Sequence, residues 1–276
     1  ALPISEDSPP MARWLTLAES GSLFDIEVNA SPILAAETLR RSLWNVAYGC
    51  LVTSATLTAL GTFDRFRMRA GLPKKAVTAV VPSPFHHADA GVLRVPDLKA
   101  DPRDAAAHTA AIIRDLPDLV EGSRGSLVLF SSRKQMQDVF DGLDRDWRKQ
   151  VFIQGNLSKQ ETLNKHKARV DGGDSSVLFG LASFAEGVDL PGAYCEHVVI
   201  AKIPFSVPDD PVEAALAEWI EARGGNPFME ISVPDASLKL VQACGRLLRT
   251  EEDRGTITLL DRRLVTQRYG KAILNA

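Results

Sequence analysis

From about residue 125 onward the chain alternates short apolar, β-branched runs with stretches whose apolar positions recur every three or four residues. The runs at 126–130, 151–153, 177–179, 197–200 and 256–260 predict buried strands. Helices are predicted over 134–140, 160–170, 211–222, 236–249 and 265–274. Strands separated by helices of this length imply right-handed βαβ units, hence a parallel sheet covered on both faces. The first 85 residues read differently. A strand at 24–28, a helix over 33–44 and strands at 49–52 and 77–81 are too few for a complete doubly wound domain. They read as the closing portion of one whose earlier strands lie upstream. The Pro-rich segment Val81-Pro82-Ser83-Pro84-Phe85 marks a hinge, so the domain reading is 1–85 and 86–276.

Composition narrows this picture only a little. The chain has 276 residues, 45% hydrophobic and 24% charged, which are the proportions of an ordinary globular protein able to bury a core. No apolar run approaches the ~20 residues of a membrane-spanning helix, so no membrane association is expected. The opening residues, Ala1 to Pro10, carry no basic segment followed by an apolar one, and no initiator Met. We therefore expect a start inside a longer protein. Cys50, Cys195 and Cys244 are far apart and form no C-x-x-C pair, which suits reduced thiols in the cytoplasm better than a metal centre. A net charge of −3 means that any nucleic-acid contact must use a local concentration of Lys and Arg.

Four local patterns carry candidate chemistry. Thr53-Ser54-Ala55-Thr56 follows a predicted strand, at the edge where ligands of α/β sheets sit, although a turn or helix cap uses the same residues. Phe130-Ser131-Ser132-Arg133-Lys134 joins a strand end to a helix start. Its hydroxyls, amides and cations suit a phosphate, and equally a capped helix with solvated basic residues. Glu186-Gly187-Val188-Asp189 sets two acceptors on a glycine turn, and could also be an acidic surface turn. On the helix expected over 236–249, Gln242, Arg246 and Arg249 stand at i, i+4 and i+7, with Leu238, Val241, Cys244 and Leu248 on a separate, core-suited face. Two guanidiniums and an amide on one stripe make an anion clamp suited to a transferring phosphoryl group. A solvated basic face is the alternative. Gly245, at ~1 kcal/mol in a helix interior, favours function by allowing a close backbone approach.

Together, Ser54-Ala55-Thr56, Leu129-Phe130-Ser131, Glu186-Gly187-Val188-Asp189 and Gln242-x-x-Gly245-Arg246-x-x-Arg249 resemble motifs III to VI of superfamily 2 helicases. The E-G-V-D form and the Ser83-Pro84-Phe85 junction are most similar to the XPD/DinG iron–sulphur branch, the DinG type in particular. Val151 to Gly155, Lys165-His166-Lys167, Asp261-Arg262-Arg263 and Tyr269-Gly270-Lys271 extend the likeness along the chain.

The resemblance implies a complete second RecA-like domain and the end of a first one after the Arch insertion. It implies the C-terminal motor portion of an ATP-dependent 5′-to-3′ DNA helicase of repair and replication-conflict processing. Arg249 would then be the arginine finger, supported by Arg246 and Gln242. Glu186, Gly187, Asp189 and Gly245 would face the nucleotide, and Ser54 and Thr56 would couple hydrolysis to domain movement. Ser131, Arg133, Gln154 and Lys202 would contact DNA. Implied cofactors of the whole protein are ATP and Mg²⁺, with a 4Fe–4S cluster upstream. Implied partners are single-stranded, forked or R-loop-like DNA and the N-terminal helicase half, in a nucleoid-associated monomer. The sequence contains neither G-x-x-x-x-G-K-[ST] nor D-E-x-H, so the chain alone is expected to bind no cofactor and to hydrolyse no ATP. His86-His87 lacks further residues at ligand spacing and is expected to be a surface loop, with no metal site. The alternative is a catalytically silent nucleic-acid-binding or protein-docking module of the same fold.

Overall fold

The computed structural model describes residues 9–20, 23–83, 87–181, 184, 187–206 and 210–275. The chain divides into two compact units, one of residues up to Ala79 with Phe205–Asp235, the other of Val80–Pro204 with Ala236–Asn275. This division by packing departs from the 1–85 and 86–276 reading, because Phe205–Asp235 sits with the N-terminal unit.

In the N-terminal unit, β1 (Met11–Ser20) and β2 (Leu23–Pro32) form an antiparallel hairpin in which Leu15 faces Val28 and Leu17 faces Ile26. Because strand side chains alternate, Ala12 and Trp14 turn the other way. Ala12 joins Ile33, Leu34, Leu216, Ile220 and Ile231 in a small core, with Trp14 packed against it. The helix Pro211–Ala222 forms as its sequence indicates. The Asp210 carboxylate accepts from the Val212 and Glu213 amides, Pro211 starts the helix, and Leu216 and Ile220 lie one turn apart on its buried side. Glu213 accepts two hydrogen bonds from Arg69, at 2.7 and 2.8 Å, and Asp235 pairs with Arg65.

Three expectations fail in this unit. Residues 49–52 and 77–81 lie outside any ladder, as exposed chain. The helix expected over 33–44 is shorter, running as Ala36–Leu39 and then as the wider-wound Arg40–Trp44. The strand Met11–Ser20 was not anticipated at all.

The C-terminal unit contains a wholly parallel sheet of β3 (Gly91–Arg94), β4 (Gly125–Phe130), β5 (Val151–Ile153), β6 (Ser176–Leu181), β7 (His197–Ile200) and β8 (Gly255–Leu259). Its spatial order is β3-β8-β7-β4-β6-β5. The central strand β4 is buried along its whole length, as a strand covered on both faces should be. Helices Ala105–Val120 and Arg133–Gly142 pack Ile112, Leu116, Met136 and Val139 onto Val128, Phe130, Phe179 and Val199. Strands β4 to β8 lie where the pattern put them. Neither β3 nor Ala105–Val120 was anticipated, although Asp104 caps that helix through two amides; Pro117 within it obscures the signal.

Three buried histidines brace this unit. His108 Nε2 lies 2.8 Å from the Leu260 carbonyl, His166 bridges Ser176 and the Tyr194 carbonyl, and His197 meets the Thr258 hydroxyl at 2.8 Å. Burial pushes all three below the usual imidazole range, His197 to about 4. A depressed histidine binds its proton in the unfolded chain first. Stability is therefore fully present above about pH 6.5 and is lost as pH falls toward 4. For His197 alone the loss is about 3 kcal/mol. Denaturant melts of His197→Gln against the parent chain at pH 7 and 4.5 should show a weaker acid dependence in the variant. Equal dependence would contradict this assignment.

Candidate functional site

The C-terminal ends of the six parallel strands share one edge, where ligands of such sheets bind. At the end of β4, Ser132 caps the next helix by accepting from the Gln135 amide at 3.1 Å, leaving Ser131 and Arg133 exposed. The Arg133 guanidinium lies 3.3 Å from where a Cβ on Gly155 would stand, so this side chain reaches from the start of that helix to the turn after β5. Gln154 has an internal task. Its amide donates to the Phe179 carbonyl and its side-chain Oε1 accepts from Leu181, both at 2.8 Å, continuing the β5–β6 pairing past the strand.

At the end of β7, Lys202 is half-buried and has no hydrogen bond or ion pair among the described residues. Burial first, and Arg263 second, push its ammonium below the usual range against the pull of Asp261 and Asp101. Asp261, at the end of β8, is fully buried. It accepts from the Ile203 amide at 3.0 Å and from the Arg263 guanidinium at 2.6 Å.

The other cluster lies between Gly187 and Asp253. Gly187 has φ +69, which glycine adopts without strain. Val188 and Leu190 are buried, and Asp189 is exposed. Arg249 Nη2 donates to the Val188 carbonyl at 2.6 Å, and its Nε lies 3.6 Å from an Asp189 oxygen. That Nε is buried without a hydrogen bond.

Residues 116–276, more than half of the chain, match the helicase C-terminal domain family. The chain belongs to that family. It is 43% identical over 281 residues to the ATP-dependent DNA helicase DinG of Photobacterium profundum, covering 100% of this chain and 40% of the relative. Against the ATP-dependent DNA helicase DinG of Escherichia coli K12 it is 35% identical over 273 residues, covering 97% of this chain and 38% of the relative. The chain thus spans about two fifths of the length of these relatives, as a DinG-type C-terminal portion. The structure of S. tokodaii Xpd4 is similar with a TM-score of 0.53 at 19% identity, over 71% of this chain and 38% of that one. That likeness supports a RecA-like fold.

In this helicase domain, one part of the sequence reading is corrected. The helix bearing Gln242 ends at Cys244, so Gln242, Arg246 and Arg249 do not share a helical stripe. After Gly245, the Arg246 and Leu247 amides bond three residues back, which tightens and ends the helix. The Arg249 and Thr250 amides turn to the Asp253 carboxylate at 2.6 and 2.9 Å. The buried face carries Leu240, Ala243 and Leu247, while Val241, expected inside, is exposed. Leu247 packs where Gly255 has no room for a side chain, since a Cβ there would stand 2.1 Å from the Glu196 carbonyl.

The remaining expected residues are dispersed. Gln242 and Gly245 are exposed, and Arg246 is half-buried. In the N-terminal unit, the Ser54 hydroxyl accepts from the Thr56 amide at 3.2 Å, a local turn. Glu186 and His86 lie outside the described residues. Asp253, which no sequence pattern singled out, accepts four hydrogen bonds. Its spacing before Gly255 reads as an ordinary D-x-G turn.

Proposed function

We propose that the chain is the C-terminal motor portion of an ATP-dependent DNA helicase, supplying the arginine side of an ATP site whose phosphate cradle lies elsewhere in the protein. The observation that carries this reading is Arg249. Among the described residues its only ion pair is the 3.6 Å one to exposed Asp189 and its Nε is unbonded, so its charge is only partly answered there. A nucleotide γ-phosphate fits that group, and the planar fork suits charge spread over three phosphoryl oxygens. Bound ATP and Mg²⁺ supply the reacting phosphoryl and its counter-charge. Arg249 holds the developing charge, Arg246 and Gln242 support it, and Gly245 lets the backbone approach. Gly187 and Asp189, with Glu186, link this edge to the DNA groove, and Ser54 and Thr56 couple hydrolysis to movement of the first helicase domain.

Residues 1–85 belong in this reading to the end of that first domain. Support comes from the apolar hairpin face of Leu15, Leu17, Phe24, Ile26 and Val28, all exposed, and from exposed Leu51, Val77, Val80 and Val81. Strands of the rest of that domain would cover them. A 4Fe–4S cluster does not fit this chain. Cys50 is exposed, while burial pushes Cys195 up to about 12 and Cys244 to about 11, keeping them protonated, the form that does not ligate iron. A cluster would be held upstream.

The substrate is single-stranded DNA, extending to forks and R-loops, unwound 5′ to 3′ by a monomer. Ser131, Arg133 and Lys202 would meet its phosphates, with Gln154 beside them. Binding by this chain is expected to be weak and to fall about sevenfold between 50 and 200 mM salt. Arg133→Ala and Lys202→Ala should each lower the salt slope by about 1. Fluorescence titration of a labelled oligonucleotide checks both, and an affinity insensitive to salt would overturn the DNA track.

A further inference from the structure

The carboxylate of Asp253 gathers four donors from two separate loops. Arg249 and Thr250 donate through their amides at 2.6 and 2.9 Å, Thr250 through its hydroxyl at 2.8 Å, and Gly192 through its amide at 3.0 Å. Gly192 closes the Gly187–Pro191 loop, and Arg249 reaches back to that same loop through Val188 and Asp189. The two loops are therefore tied twice, once by the arginine side chain and once by Asp253. Asp253 is buried, so each of these bonds is a charge-assisted bond largely shielded from water.

We propose that Asp253 is the positioning residue that sets the Arg249 guanidinium for phosphoryl transfer and makes its placement depend on the Val188–Gly192 loop. This rests on the reading of Arg249 as the arginine finger. Three features make the role more than general support. The Arg249 amide is one of the bonded groups, so the carboxylate fixes the backbone from which the finger springs. The helix ends at Cys244, so no helical ladder holds Arg249 in its place. Both oxygens are engaged, Oδ1 by Gly192 and the Thr250 hydroxyl and Oδ2 by the two amides, so displacement of the Gly192 loop is transmitted directly to residue 249. A displacement of about 1 Å at such a group is enough to slow chemistry about 10²-fold. Burial alone would raise the Asp253 carboxyl, but the amides of Arg249 and Thr250, the Thr250 hydroxyl and the Gly192 amide outweigh it and hold it ionised, below the usual range.

The test has two arms. In this chain, Asp253→Asn should speed amide exchange at Gly192, Arg249 and Thr250 together by about tenfold, with the strands unchanged, as the loss of a charged acceptor allows. Exchange that rises at only one of the two loops would overturn the tie. In the full-length helicase, Asp253→Asn should lower DNA-stimulated kcat about 10²-fold while KM for ATP stays within about twofold. Added to Arg249→Ala, it should lower kcat no further, because it acts through that arginine. Thr250→Val, which removes one donor and leaves the carboxylate, should give a smaller fall with the same non-additivity, and serves if Asp253→Asn fails to fold. Effects that multiply with Arg249→Ala, or a fall carried by KM, would overturn the positioning role. Near-normal turnover of Arg249→Ala alone would instead remove the arginine-finger reading, leaving the exchange result to stand or fall by itself.

Discussion

Arg249→Ala in the full-length helicase should cut DNA-stimulated ATP turnover about 10³-fold or more, as losing an arginine finger does. The expectation follows from how little holds this guanidinium within its own chain. It donates once to a backbone carbonyl and stands 3.6 Å from an exposed carboxylate, with its Nε unbonded. Arg69 also has an unbonded Nε, but a bidentate carboxylate answers it at 2.7 and 2.8 Å, and Arg249 has no such partner among the described residues. Removing Arg249 should therefore change folding stability by no more than about 3 kcal/mol, the range of one hydrogen bond from a charged group. The measurement pairs steady-state ATP hydrolysis with a denaturant melt. A large fall in kcat in a variant that is still folded at the assay temperature supports the finger, and near-normal kcat removes it.

Asp261→Ala should have the opposite profile, destabilising the C-terminal unit by about 1–3 kcal/mol, because it removes a fully buried charged acceptor and leaves the Ile203 amide without its bond. The Asp261 carboxylate joins the end of β7, through the Ile203 amide, to the turn after β8, through Arg263. The Arg263 side chain is itself mostly buried, and its guanidinium is held above the usual range first by the hydrogen bond to Asp261, against burial. Lys202, next to this junction, would lose one of the two carboxylates that raise its ammonium, Asp261 and Asp101. Urea unfolding of the chain reports the change directly, and a loss under about 1 kcal/mol would show that Asp261 is dispensable.

Most of the sheet was legible because β4, β6 and β7 are nearly continuous apolar runs, the pattern that burial on both faces demands, and β8 still carries β-branched residues. The helix Pro211–Ala222 was legible from its cap and its starting proline. The hairpin was half seen. Its strand 24–28 shows, but Trp14-Leu15 places apolar residues on both sides of β1, which blurs the alternation. The segments 49–52 and 77–81 carry the composition of strands without their pairing, because a strand is completed by neighbours that local sequence does not supply.

At the candidate site, the residue types were legible and their arrangement was not. The spacing of Gln242, Arg246 and Arg249 fits a helix, and propensity favours continuing one past Gly245. The three-back bonds of Arg246 and Leu247 end it, and a carboxylate four residues beyond Arg249 then competes with helical carbonyls for the next two amides. Such competition is tertiary. It depends on Gly192 arriving from another loop to complete the same acceptor, and no period in the sequence records that.

The central claim is that this chain holds one side of an ATP site and depends on another part of its protein for the other. DNA-stimulated ATP hydrolysis by the purified chain, set beside that of the full-length helicase, tests it most directly. The chain alone should show no turnover above background, and the full-length protein should show DNA-stimulated turnover that Arg249→Ala abolishes. Hydrolysis by the chain alone would contradict the claim.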